Sequence, residues 1–162
     1  MDLATRRRAI VGLALSGLGA IAWVGGRGLL GGRRIAPAGT APPLTATGLE
    51  DGAWAELLAD LVSDGFVRYD RLRERAEVLE AYCALLAETG PRTDPARFAG
   101  PGQARAYYVN AYNALVLLGV VRHWPISSVG DVRGDIEPTP HLGFFWGLRF
   151  RLDGRWRHLY GL

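Results

Sequence analysis

The sequence predicts an α+β domain, mainly helical, with a buried central helix and a C-terminal β-hairpin. Three observations carry the prediction. The run "AYYVNAYNALVLL" is apolar on nearly every side at helical spacing, which marks a helix enclosed by others. Two earlier stretches repeat apolar residues every three or four positions. The tail alternates apolar and polar residues about an Asp-Gly pair.

In the first helix, Trp54, Leu57, Leu58, Leu61 and Val62 form one apolar stripe, and Asp64-Gly65 ends it with a turn. "FVRYDRL" follows as a short extended connection, in which Phe66 does not share a face with Val67 and Tyr69. A second helix runs from about 71 to about 88 and closes at Gly90-Pro91. Its stripe is Leu72, Ala76, Leu79, Cys83 and Leu86. Cys83 is the chain's single cysteine, so no intrachain disulfide forms, and a buried structural thiol is the default over a nucleophile. "PRTDPARFAGPG" reads as a loop. The third, central helix spans about 103 to 123, stopped by Trp124-Pro125, since a residue before proline avoids helical geometry.

The tail "WGLRFRLDGRWRHLYGL" allows two hairpin registers. A two-residue turn at Asp153-Gly154 sets Phe150 across from Arg157. A three-residue loop ending at Gly154 pairs Phe150 with Trp156, Leu148 with His158 and Trp146 with Tyr160. The second register is preferred, because it gathers Trp146, Phe150, Trp156 and Tyr160 on one face and leaves arginines on the other. That aromatic face is either core-covered or a binding surface.

Charge is unevenly placed. All 19 basic residues are arginine, and the formal net charge is +3. Residues 1–38 hold six arginines against Asp2, while the remainder holds thirteen against fifteen acids. The body is mildly acidic, which argues against a nucleic-acid partner. "TRRRAIVGLALSGLGAIAWVGG" has a basic start at Arg6, Arg7 and Arg8, an uncharged apolar stretch from Ala9 to Val24, and small residues after it. It resembles a twin-arginine export signal, with Ala9 where a large apolar residue is usual. Sixteen residues of helix reach about 24 Å, short of the ~30 Å hydrocarbon core. Cleavage and retention as a membrane anchor both stay open. The expected organisation is an export signal or anchor at 1–38, a flexible linker at 39–48 and a domain at 49–162. The expected location is the bacterial inner membrane or periplasm.

Asn110 and Asn113 are the unusual feature of the central helix. They lie about 60° apart on one side, with Tyr108, Tyr112 and Leu115 opposite. A buried carboxamide left unpaired costs roughly 1–3 kcal/mol. Both therefore either tie down loop backbone such as "PISSVGD" or line a polar cleft. His123, His141 and His158 lack metal-ligand spacing, and Asp131, Asp135 and Glu137 read as solvated loop acids. No phosphate loop, nucleophile elbow or dinucleotide fingerprint occurs, so no cofactor or metal is expected.

Three ordered motifs carry a family resemblance. "AYYVNAYNALVL", "WAELLADLVSDGFVRYDRL" and "HWPISSV" resemble segments of the family called domain of unknown function 547. The resemblance rests on Asn110, Ala111, Tyr112, Asn113 and Ala114 of the signature, and on Asp64, Gly65, Val67 and Tyr69 of the opening. Tyr107, Tyr108 and Val109 replace the family's Phe, Trp and Ile. Members usually continue past the hairpin with a Glu-His segment and further His- and Cys-bearing motifs. This sequence stops at "HLYGL", so the resemblance implies an incomplete domain, whose uncovered aromatic hairpin face is expected to leave it poorly soluble and without catalytic activity.

Two function classes follow. One is an envelope binding or scaffold module, using Asn110, Asn113 and the aromatic face toward a protein or small-molecule partner, with membrane contact through an uncleaved N-terminus. The alternative is a hydrolase-like enzyme whose catalytic His and Cys lie in the missing C-terminal part, with the asparagines orienting groups in its cleft.

Overall fold

In a computed structural model, the structure describes residues 32–44, 49, 52–133 and 142–162. Of the export signal or anchor expected at 1–38, residues 1–31 lie outside the described residues. Among the described residues, no helix is long and apolar enough to cross a membrane. The fold is α+β and mainly helical, with a small mixed sheet.

Helix α1 (Gly52–Leu61) buries Trp54, Leu57 and Leu61, and the Trp54 ring stacks on Tyr82 at 4.8 Å. Val62, expected on the same stripe, leaves the helix and is 48% exposed. It opens a minimal hairpin, β2 (Val62–Ser63) against β3 (Phe66–Val67). Both central turn residues are left-handed, Asp64 at φ 53 and Gly65 at φ 76, the conformation of a two-residue hairpin turn.

The expected second helix is two. α2 (Tyr69–Glu74) and α3 (Ala76–Glu88) meet at Arg75, whose guanidinium approaches Asp60 at 3.6 Å. The apolar stripe keeps its period across the break, so the periodicity alone does not show it. α4 (Gln103–Arg122) packs on α3 in antiparallel fashion. Arg122 near the end of α4 pairs with Glu80 near the start of α3 at 2.7 Å, while Tyr107 near the start of α4 donates its hydroxyl to the Leu86 carbonyl at 2.9 Å. Gly119 lets the sheet side close on α4. A Cβ there would lie 2.7 Å from Phe144 and 3.2 Å from Phe150, two fully buried rings.

The sheet has the order β1-β4-β5: β1 (Arg33–Ile35), β4 (Leu148–Leu152) and β5 (Arg155–Arg157). Two expectations are corrected here. Arg33–Ile35, read as part of a leader, pairs parallel with β4 and buries Ile35 in the core. The residues just ahead of the expected linker are held as well, because Ala38 N–H donates to Glu80 at 2.7 Å and Arg122 donates to the Ala36 carbonyl at 3.2 Å. Residues 45–48 lie outside the described residues.

The hairpin register is the other one. Phe150 faces Arg157 and Leu152 faces Arg155 across a two-residue turn. The three-residue loop needs only one left-handed residue, whereas Asp153 at φ 50 and Gly154 at φ 72 are both left-handed. The Asp153 carboxylate is locked by neighbours from another loop, which fixes that conformation.

Candidate functional site

The face of α4 that carries the asparagines is open. Tyr107, Ala111, Ala114 and Leu118 bury one side of the helix, together with Leu115. Ala106 is exposed and Val109 is 54% exposed on the other side. Asn110 and Asn113 sit half-buried at the border of that open face. The expectation of a helix buried all round is thus corrected: enclosure holds for residues 117–120 and fails in the first half.

Neither carboxamide has a hydrogen-bond partner among the described residues. The expectation that they tie down "PISSVGD" finds no bond there. That segment caps itself, with Ser128 N–H donating to Asp131 at 2.9 Å and Gly130 N–H to the Ser128 hydroxyl at 3.1 Å. Asp131 therefore has a local structural role, while Asp135, Glu137 and His141 lie outside the described residues.

The four aromatics do not share a face. Phe150 is fully buried on the core side of β4. Trp156 faces the opposite way, paired with Arg151, and the Arg34 guanidinium lies 5.2 Å over its ring. Trp146 belongs to a π-helical turn, Gly143–Gly147, ahead of the strand. It does meet Tyr160, at 4.3 Å, and also His158, at 5.0 Å, through a 3-10 turn at Leu159–Gly161 rather than strand pairing. The one-residue difference in register moves these side chains between faces, since the strand period is two.

A polar lock that sequence reading missed joins the hairpin to the helices. Asp153 is almost fully buried, and its carboxylate accepts from the backbone N–H groups of Arg92 and Thr93 and from the Thr93 hydroxyl. The Arg92 guanidinium donates back to the Asp153 carbonyl at 2.6 Å. Gly90 is required where these groups converge, because a Cβ would stand 2.6 Å from both Asp153 and Tyr107. Burial pushes the Asp153 carboxyl upward, but the donors from Thr93 and Arg92 outweigh it and hold the group below its ordinary value. Burial, then the nearby Asp153 charge, pushes the Tyr107 phenol up, so it stays a neutral donor. The only sequence signal for this lock was Asp153-Gly154, which reads equally as a plain turn.

Other reactive groups are accounted for individually. Cys83 is fully buried, and burial, with Glu80 adding, pushes its thiol up, as a structural thiol requires. His123 donates through Nδ1 to the Gly119 carbonyl at 2.8 Å. Burial first, then Arg149 and Arg157, lowers the His158 pKa, keeping the ring neutral. Among the described residues, no three His, Cys, Asp or Glu side chains are grouped to hold a metal ion. Comparison of the chain with protein-family models, curated proteins and solved structures finds no match.

Proposed function

We propose that this is an exported or membrane-anchored protein of the bacterial envelope, acting as a binding module through the Asn110–Asn113 face of α4. The apolar stretch behind Arg6–Arg8 supports the location. The likeness of "AYYVNAYNALVL" to the domain of unknown function 547 signature supports attention to the same helix.

The carrying observation is the state of the two asparagines. Asparagine weakens a helix relative to alanine by up to about 0.7 kcal/mol. Such a residue is repaid structurally when its amide bonds to neighbouring backbone. Here two half-buried carboxamides sit one turn apart beside exposed Val109, with no such bond among the described residues. The two side chains lie about 5–6 Å apart at Cβ. That pattern suits a ligand with alternating donors and acceptors, such as a peptide main chain. The hydrolase alternative gains no support from Cys83, which lies in the core.

Asn110→Ala and Asn113→Ala in the full chain provide the test. Thermal unfolding should be unchanged or slightly raised, while a photo-crosslinker replacing Val109 should lose its discrete adduct in the double variant. A stability loss of about 1–3 kcal/mol, or an adduct indifferent to both asparagines, would refute the binding reading.

A further inference from the structure

Six of the eleven residues in β1, β4 and β5 are arginine, and none is acidic. Strand pairing sets Arg34 beside Arg149 and Arg151 beside Trp156. These four lie on the side of the sheet away from Leu148, Phe150 and Leu152, which fill the core. Arg33, Arg155 and Arg157 pair with Leu148, Leu152 and Phe150, so alternation turns them from that face, while Arg33 and Arg155 stay exposed on the two edge strands. Glu88 neutralises Arg151 at 2.9 Å. Against a body with more acids than arginines from residue 39 onward, the sheet is where positive charge is concentrated.

We propose that this outer sheet face, together with the exposed β1 edge that carries Arg33, seats on an anionic phospholipid surface. Guanidinium groups match phosphate geometry and are weakly hydrated, so they enter a headgroup layer readily. Trp156 adds an amphipathic ring of the kind enriched at membrane interfaces. Chain connectivity favours lipid over other polyanions. β1 begins nine positions after Val24, the end of the apolar stretch. Nine residues reach at most about 30 Å, so a membrane-embedded stretch holds this sheet near the headgroups. The inference rests on the membrane-directed reading of the N-terminus given above.

The test is flotation of the full chain with vesicles of phosphatidylcholine alone and of phosphatidylcholine mixed with phosphatidylglycerol. The wild type should bind the mixed vesicles more tightly. Arg33→Gln and Arg34→Gln should each weaken that binding about five-fold, and together about 25-fold, with binding to neutral vesicles unchanged. Arg151→Gln, whose charge is already paired, should change little. Equal binding of the double variant and the wild type to mixed vesicles overturns the proposal. So does equally tight, arginine-dependent binding to an oligonucleotide. A chain that ignores neutral vesicles, yet binds mixed ones through Arg33 and Arg34, removes the anchor reading and leaves the sheet face supported.

Discussion

Thr93 and Asp153, 60 residues apart, share two hydrogen bonds: the Thr93 N–H donates to Oδ1 at 2.9 Å and the Thr93 hydroxyl to the same oxygen at 2.7 Å. The other carboxylate oxygen accepts from Arg92 N–H at 2.8 Å. The same turn also works in the opposite direction. Asp153 and Gly154 donate their own N–H groups to the carbonyls of Leu86 and Ala87 at 2.9 and 2.7 Å. A helix end leaves its last carbonyls unpaired, and here a hairpin turn supplies the donors for α3. The turn is thus a joint between sheet and helices, held from both sides.

Asp153→Asn isolates that joint. Asparagine tolerates the left-handed turn position, so the backbone should persist. Its NH₂ group, however, would meet N–H donors where an oxygen stood, and the expected loss is about 1–3 kcal/mol. The pH dependence has a definite sign. A carboxylate held below its ordinary value of 3.8 contributes stability that is present above that pH and lost as pH falls through the lower folded value. Denaturant titration should therefore show a flatter acid limb in the variant than in the wild type below about pH 4. Identical acid limbs would place the shift elsewhere.

Gly119→Ala probes the contact between α4 and the sheet side. Alanine gains roughly 1 kcal/mol over glycine in a helix interior. Against it, the new methyl would lie 2.7 Å from Phe144 and 3.2 Å from Phe150. Overpacking of this kind costs about 1–3 kcal/mol, so the net expectation is a modest loss of stability. Adding Phe144→Leu should return part of it, and the double-mutant cycle reads the coupling. A stabilised single variant would show that the rings have room to move.

The parts of the fold legible in the sequence are those with local causes. The ends of α4 follow from Gly102 and Trp124-Pro125, and both Asp-Gly pairs mark turns whose residues need positive φ. β1 was not legible: its partner is a parallel strand near the other end of the chain, and Arg33 and Arg34 read as part of a leader. The hairpin register depended on Asp153 being held by Arg92 and Thr93, a tertiary cause invisible in an alternating tail. Asn110 and Asn113 were visible as anomalies, but the openness of their face was not, because an all-round apolar pattern cannot show which side lacks a neighbour.

His158 supplies a second, separate pH dependence. Its ring is half-buried, stacked at 5.0 Å on Trp146, and Gly161 closes over it so tightly that a Cβ there would stand 2.9 Å away. Nδ1 is buried without a partner among the described residues. Burial, then Arg149 and Arg157, holds the folded pKa below the ordinary 6.5. Between the folded value and 6.5 the unfolded chain binds more protons, so stability is fully present above 6.5 and declines as pH falls below it. His158→Phe keeps a ring against Trp146 and removes the titration. Melting temperatures at about pH 7.5 and about pH 5.5 should fall further apart in the wild type than in the variant. Equal differences in the two proteins would mean that the His158 ring accepts a proton in the fold as readily as it does in the unfolded chain.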